Sequence, residues 1–279
     1  GEPGTTAVLE MSLLGPELAV RETCVIGLAG ADLGGEVVEE GRRLRPGSVT
    51  VVEAGTTLRF PEAHDGCRAY LGLAGGIDVP LMLGSRSTCL VGRFGGIDGE
   101  GRPVRAGDLL RPTEPGGATA TASPDRVWPG PAGGAIGSDA VATVRVVAGP
   151  HLDRFPGGVL DRLASAKWTA SVRSDRMGVR LEGDALPGAG GELVSLPMVW
   201  GAIQVTAGGQ PIVLLADHQT VGGYPVPAVV ASVDRPVIGQ LRAGDRIRFE
   251  PVTFIEALAL RGVAEAAFEA VRASVERRR

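Results

Sequence analysis

The chain has 279 residues, enough to bury one large core or two medium ones. Its formal net charge is −4 with acids and bases interspersed, which argues against a nucleic-acid groove, since phosphates demand a basic stripe. Glycine (43) and proline (20) are abundant without a Gly-x-y period, so a turn-rich, mostly β chain is expected rather than a collagen-like one.

In chain order, residues 8–14 and 17–20 are short apolar segments split by the turn Gly15-Pro16. Residues 24–29 form an apolar strand ending at Gly30-Ala31-Asp32. Arg45-Pro46-Gly47 turns into the β-branched strand 48–52, and Ala54-Gly55 turns into 57–60. Asp65-Gly66 carries a hairpin signal and leads to the strand 68–74. That strand delivers a glycine-lined loop: Gly75-Gly76, then Asp78, Pro80 and the polar cluster Gly84-Ser85-Arg86-Ser87-Thr88. Residues 95–101 form a further loop, and Arg105-Ala106-Gly107-Asp108 turns into Leu109-Leu110. Short strands at close spacing with turn signals between them predict a barrel or a sandwich.

From 113 to 139 proline, glycine and small polar residues dominate, which predicts a linker with Trp128 as its candidate anchor. Strands resume over 140–147, 168–172, 179–181, 203–205, 211–216 and 226–233, with a short helix expected over 153–163 and a turn over 173–178. The strand 211–216 runs into Asp217-His218-Gln219-Thr220, then Gly222-Gly223, Tyr224 and Pro225, which answers the first loop. Thr253 and Glu256 make a capping box. Ile255, Leu258, Ala259, Val263, Ala266, Ala267 and Val271 follow helical spacing, so one helix closes the chain, weakened by Gly262 and ending in Arg277-Arg278-Arg279.

An internal echo joins the halves. Ala54-Gly55-Thr56-Thr57-Leu58-Arg59-Phe60 resembles Ala243-Gly244-Asp245-Arg246-Ile247-Arg248-Phe249, and Arg105-Ala106-Gly107-Asp108 matches Arg242-Ala243-Gly244-Asp245. Two related β lobes are expected, over 1–112 and 140–252, followed by the helix 253–279.

The side chains suggest chemistry in both loops. Asp78 can orient an amide or act as an acid, or simply cap its turn. Arg86 can hold a carboxylate bidentately or pair with an internal acid. Ser85, Ser87 and Thr88 can donate to an oxyanion or cap a helix. Asp217 and His218 are acid/base candidates, His218 because imidazole titrates near neutral pH. Gln204 reads as half-buried in its strand and can bind an amide or ureido group, Tyr224 can donate to a carbonyl or simply pack on the Gly-Gly turn, and Gly222 and Gly223 count among the substrate-binding candidates. Asp175-Arg176 reads as an internal salt bridge, and His64 and His151 as ordinary loop residues. No His-x-x-x-His or Cys-x-x-Cys spacing exists, so no metal site is expected. The scattered Cys24, Cys67 and Cys89 suggest reduced thiols rather than a disulfide framework. Lys167 is the sole lysine, and no Gly-x-x-x-x-Gly-Lys loop occurs, so the chain has no self-contained ATP site of that type. No run approaches the ~18 apolar residues of a membrane span and no secretory signal is present; a cytoplasmic protein without membrane or nucleic-acid partners is expected.

Several ordered segments resemble the allophanate hydrolase subunit 2 family, also described as the C-type 5-oxoprolinase subunit or biotin-dependent carboxyltransferase-like proteins and related to urea amidolyase. They are Leu14-Gly15-Pro16, Leu28-Ala29-Gly30-Ala31-Asp32-Leu33-Gly34, Arg68-Ala69-Tyr70-Leu71 and Ala74-Gly75-Gly76-Ile77-Asp78-Val79-Pro80. The series continues through Leu83-Gly84-Ser85-Arg86-Ser87-Thr88, Asp175-Arg176-Met177-Gly178, Gly201-Ala202-Ile203-Gln204-Val205, Leu215-Ala216-Asp217 and Gly222-Gly223-Tyr224-Pro225. The resemblance implies two cyclophilin-like β-barrel lobes. It also implies a partner, allophanate hydrolase subunit 1 or the B-type 5-oxoprolinase subunit, and a third subunit with which 5-oxoproline is opened to glutamate using ATP. That ATP would act through the assembled complex. A second implied activity is carboxyl transfer from carboxybiotin to urea or a similar small amide. The Met-Lys-Met site of a biotin carrier is absent, so biotin would come in trans. A third implied role is a non-catalytic module that antagonises a kinase inhibitor. The family's usual opening segment, Thr-Val-Gln-Asp-x-Gly-Arg, would precede Gly1, and His218-Gln219-Thr220-Val221 stands where many relatives have Arg-Gln-Thr-Thr.

Overall fold

Residues 6–113, 140–189, 191 and 193–276 are described by the structure, a computed structural model. The linker expected over 113–139, apart from Thr113, lies outside the described residues, as do Trp128 and the terminal Arg277-Arg278-Arg279. The chain divides into two units.

The first unit runs through β1 (Leu9–Ser12), β2 (Leu18–Ala19), β3 (Cys24–Asp32), β4 (Glu36–Val37), β5 (Arg42–Arg43), β6 (Val49–Val52), β7 (Thr57–Arg59) and β8 (Asp65–Leu73). Alternation sets which side chains face in: Thr50 and Val52 are buried on β6 while Val49 and Val51 are exposed. The strands form two four-stranded sheets, in the orders β1-β8-β3-β6 and β2-β7-β4-β5, around Ile26, Leu28, Leu33, Val37, Leu58, Phe60 and Leu71. The described strands do not close into one hydrogen-bonded ring, because β2, β4 and β5 are two residues long and offer few ladder bonds.

Asp65-Gly66 is no hairpin turn. It lies inside β8, where Gly30 pairs with Ala69 but Asp32 pairs with Asp65, so the extra residues of β8 bulge, with Gly66 at φ 72°. The real reversal comes after Leu73, whose carbonyl accepts from the Gly76 N–H at 2.8 Å, with Gly75 and Gly76 at φ 85° and 73°. Residues 77–113 then run without regular strands, pinned by the bridges Ile77↔Pro112, Met82↔Ser85, Cys89↔Phe94 and Gly95↔Glu100.

In the second unit, β9 (Val141–Ala148) leads to a 3₁₀ turn (Leu152–Arg154), α1 (Val159–Ser165), β10 (Trp168–Ala170), β11 (Gly178–Glu182) and β12 (Leu196–Pro197). Next come β13 (Ala202–Val205), β14 (Pro211–Leu214), β15 (Val221–Gly222), β16 (Ala228–Val230), a second 3₁₀ turn (Ser232–Asp234), α2 (Arg235–Gly239), β17 (Arg246–Pro251) and α3 (Phe254–Glu276). Seven strands close a barrel in the order β10-β11-β14-β13-β16-β9-β17, while β12 and β15 pair as a separate ribbon. Val144, Leu163, Trp168, Ile203, Val213, Ile238 and Ile247 fill the barrel, and the Trp168 indole donates to the Leu163 carbonyl at 2.9 Å.

Two expected elements differ here. The helix expected over 153–163 is split, because Pro156-Gly157-Gly158 separates the 3₁₀ turn from α1 and Gly158 adopts φ 82°. The strand expected over 226–233 stops at Val230; Pro236, at the start of α2, presets the helical φ that the apolar pattern did not reveal.

The closing helix forms with its capping box intact. The Glu256 carboxylate accepts from the Thr253 N–H at 2.8 Å, and Thr253 Oγ1 accepts from the Glu256 N–H at 3.2 Å. Its helical stripe does not face a core: Ile255 and Val263 are each 72% exposed.

The echo between the halves is structural. In both Arg-Ala-Gly-Asp turns the Asp carboxylate accepts from the Arg N–H at 2.7 Å, with Gly107 at φ 92° and Gly244 at φ 91°. Val20 exchanges backbone bonds with Gly55 and Thr56 at 2.7 and 2.8 Å. Ala170 exchanges the matching pair with Gly244 and Asp245, both at 2.8 Å. Cys24, Cys67 and Cys89 are free thiols. Among the described residues no helix is long and apolar enough to cross a membrane.

Candidate functional site

The candidate residues fall on both units. Asp78, Ser85, Arg86 and Ser87 belong to the first; Gln204, Asp217, His218, Gly222, Gly223 and Tyr224 belong to the second.

In the first unit a two-residue hairpin carries the polar cluster. Met82 and Ser85 exchange backbone bonds at 2.8 and 2.9 Å around Leu83 (φ 50°) and Gly84 (φ 78°), the paired positive φ angles of a type I′ turn. Leucine at such an angle costs about 1–2 kcal/mol, and Leu83 is 90% exposed, so no core packing offsets it. Ser85 Oγ accepts from the Ser87 N–H at 3.1 Å, which fixes the turn that follows. Arg86 is half-buried, and its Nη1 donates to the carbonyl of buried Val79. Among the described residues the guanidinium has no carboxylate partner, so the internal ion pair weighed as an alternative for Arg86 is not formed there. The exposed Asp78 is anchored by its backbone, whose N–H donates to the Arg111 carbonyl at 2.8 Å.

A brace that the sequence did not suggest holds the far side of this loop. Arg102 grips Asp108 bidentately at 2.7 and 2.9 Å and also reaches Asp98. The Arg102 hydrogen bonds, followed by the Arg105 backbone N–H, hold the Asp108 carboxyl down to about 2. The acids and arginines gathered over 98–108 were a signal, but spacing alone did not say which acid each arginine takes.

In the second unit β14 delivers the polar turn as expected. Leu215 N–H donates to the Met177 carbonyl at 2.9 Å and Asp217 N–H to the Arg176 carbonyl at 3.1 Å. The Asp217 carboxylate pairs with the Arg176 guanidinium at 2.6 Å. His218 Nδ1 lies 2.7 Å from the Gln219 carbonyl, an acceptor for an N–H at that nitrogen. Tyr224 is 49% exposed. His151, read as an ordinary loop residue, lies in a turn and accepts the Val226 N–H on Nδ1 at 3.1 Å.

Gln204 is only 2% exposed, where a half-buried strand position was expected. Its Oε1 accepts from Gln219 Nε2 at 3.0 Å and its Nε2 donates to Met198 Sδ at 3.3 Å. Gly222 closes over this amide pair. A Cβ there would lie 2.6 Å from Gln204 Nε2, 3.0 Å from Met198 Cγ and 3.1 Å from Gln219 Nε2. Gly222→Ala is therefore expected to destabilise the second unit by about 1–3 kcal/mol, read from urea unfolding. A loss below about 0.5 kcal/mol would mean that the β12–β15 ribbon yields freely. Among the described residues no cluster of three or more His, Cys, Asp or Glu is arranged to hold a metal ion.

Residues 1–251 match the family described as carboxyltransferase domain, subdomain A and B. The chain is 32% identical over 286 residues to urea amidolyase of Lachancea kluyveri, covering 94% of this chain and 15% of that protein. It is 34% identical over 221 residues to the C-type 5-oxoprolinase subunit of Escherichia coli (strain K12), covering 78% of this chain and 67% of that protein. The crystal structure of the Kluyveromyces lactis urea carboxylase superposes with a TM-score of 0.80 at 29% identity, over 93% of this chain and 24% of that one. The chain thus spans under a fifth of the urea amidolyase it matches.

Proposed function

The chain belongs to the carboxyltransferase domain, subdomain A and B family, and we propose that it serves as the C-type component of an ATP-dependent enzyme that opens 5-oxoproline to glutamate. It would work with a partner resembling allophanate hydrolase subunit 1 or the B-type 5-oxoprolinase subunit. The observation that carries this reading is Arg86, a half-buried guanidinium tethered through one nitrogen to a carbonyl and free of any carboxylate among the described residues. 5-Oxoproline carries one carboxylate beside its lactam, and the remaining guanidinium nitrogens suit a bidentate grip on it. The exposed Ser85 and Ser87 lie beside Arg86 as further polar contacts, and Asp78 precedes the Val79 carbonyl that holds it. The second unit carries its own candidates: His218, with Nδ1 2.7 Å from the Gln219 carbonyl, as an acid/base group, and the exposed Tyr224 hydroxyl. Asp217 is committed to Arg176 and would act by fixing the turn that carries His218. ATP, handled by the assembled complex, would supply the free energy for lactam opening.

A second reading, carboxyl transfer from carboxybiotin to urea or a similar amide, is favoured by the urea amidolyase match over 94% of the chain. Gln204, offered to an amide or ureido group, is buried and bonded at both ends of its amide, so it does not present itself to the substrate of either reading.

The test is 5-oxoproline-dependent ATP turnover by the chain co-purified with its subunit 1-like partner and supplied with the third subunit. Glutamate formed in step with ADP supports lactam opening. A stable complex that makes no glutamate but carboxylates urea, given a biotin carboxylase and its carrier, replaces it with the second reading. A stable complex with neither activity favours the module that antagonises a kinase inhibitor.

A further inference from the structure

Two neighbouring hairpins of the first unit each present an aliphatic tip to solvent. Leu83 (90% exposed) caps the turn Met82–Ser85 and Val91 (80%) the turn Cys89–Phe94, with Leu81 and Leu90 about half exposed beside them. Both tips are stiff. Met82–Ser85 is closed by two backbone bonds, and so is Cys89–Phe94, at 2.9 and 3.3 Å; Gly92 N–H also donates to Cys89 Sγ at 3.3 Å. Both contain a non-glycine residue at positive φ, Leu83 at 50° and Arg93 at 54°, and only Leu13 shares that property among the described residues. A strained turn that displays an apolar side chain gains nothing from its own chain, and strain of this kind collects where a surface has work to do. Residues 79–97 contain two arginines, Arg86 and Arg93, and no acid.

We infer that these two hairpins are a docking surface for a protein partner that offers an apolar pocket with an acidic rim, the pocket taking Leu83 and Val91 and the rim facing Arg93. This inference rests on the subunit 1-like partner proposed above, which is the occupant it commits to. Shape argues for a protein: fixed knobs on closed turns match a preformed pocket, whereas a lipid surface accepts mobile apolar side chains and gains little from two cations.

The experiment measures binding of the purified chain to the subunit 1-like protein by titration calorimetry, with thermal melts of every variant. Leu83→Asp is expected to weaken binding by about 30-fold or more, and Arg93→Glu by about 10-fold. Leu83→Asn separates docking from folding: asparagine tolerates positive φ, so the melting temperature is expected to hold or rise while binding still falls. Tight binding by the wild type with no change in Leu83→Asp or Arg93→Glu overturns the docking surface and leaves the partner assignment standing. Failure of the wild type to bind overturns both. Self-association of the wild type that Leu83→Asp abolishes, or flotation with anionic vesicles that it abolishes, assigns the surface to a second copy or to lipid and overturns the inference.

Discussion

Arg86→Ala in the assembled enzyme is expected to lower kcat/KM for 5-oxoproline by about 10²–10³-fold. Each charge-assisted hydrogen bond to a carboxylate contributes roughly 1.5–3 kcal/mol, and a bidentate grip has two. Arg86→Lys restores the charge but not the fork, so a loss of about tenfold should remain. The tether to the Val79 carbonyl holds the side chain in place before substrate arrives, so little of the binding energy goes into ordering it. The control is 2-pyrrolidinone, which has the lactam without the carboxylate. Any turnover of that analogue should be the same in wild type and Arg86→Ala. A change below threefold with 5-oxoproline, or an equal loss with the analogue, would remove Arg86 from the role of carboxylate binder.

Asp234→Ala is expected to destabilise the second unit by about 3 kcal/mol. Asp234 is 2% exposed, and its carboxylate takes the Arg145 backbone N–H at 2.7 Å, the Arg145 Nε at 2.8 Å and the Arg145 Nη2. These hydrogen bonds hold the Arg145 guanidinium more firmly protonated than usual. The pair ties the turn before α2 to β9, and removing one partner leaves the other without its counter-charge. The Arg145 side chain keeps 26% exposure, which places the loss at the lower end for such pairs. In a unit of this size that corresponds to a fall in melting temperature of roughly 6–12 °C. Asp234→Asn keeps the shape and part of the hydrogen bonding and should lose about half as much. A loss under 1 kcal/mol for Asp234→Ala would show that α2 is anchored by its apolar contacts alone.

Much of the architecture was legible because its causes are local. β-Branched residues marked β6, the turn residues marked the Arg-Ala-Gly-Asp corners, and Thr253 with Glu256 marked the start of α3. What escaped was set by distant partners. Arg145 and Asp234 are 89 residues apart in sequence, and nothing near either one names the other. Gln204 looked half-buried because strands usually show one face to water, yet β13 is buried at all four positions. The Asp65-Gly66 pair carries a strong hairpin signal, but its partner strand β3 was already in place, so the same backbone freedom served a bulge. The commitment of Asp217 to Arg176 and the tether on Arg86 needed coordinates.

The parallel pairing of β9 with β17 has a consequence for how the chain is made. These are the first and last strands of the barrel, joined from Arg246↔Val141 to Pro251↔Val146. Until the ribosome has released Pro251, the other strands form an open sheet with two raw edges, β9 and β10, each able to recruit a foreign strand. Closure across that sequence separation is a slow, entropically costly step. The nascent second unit is thus exposed to aggregation for most of its synthesis, and its barrel is completed by the few residues of β17, the last of its strands to be made.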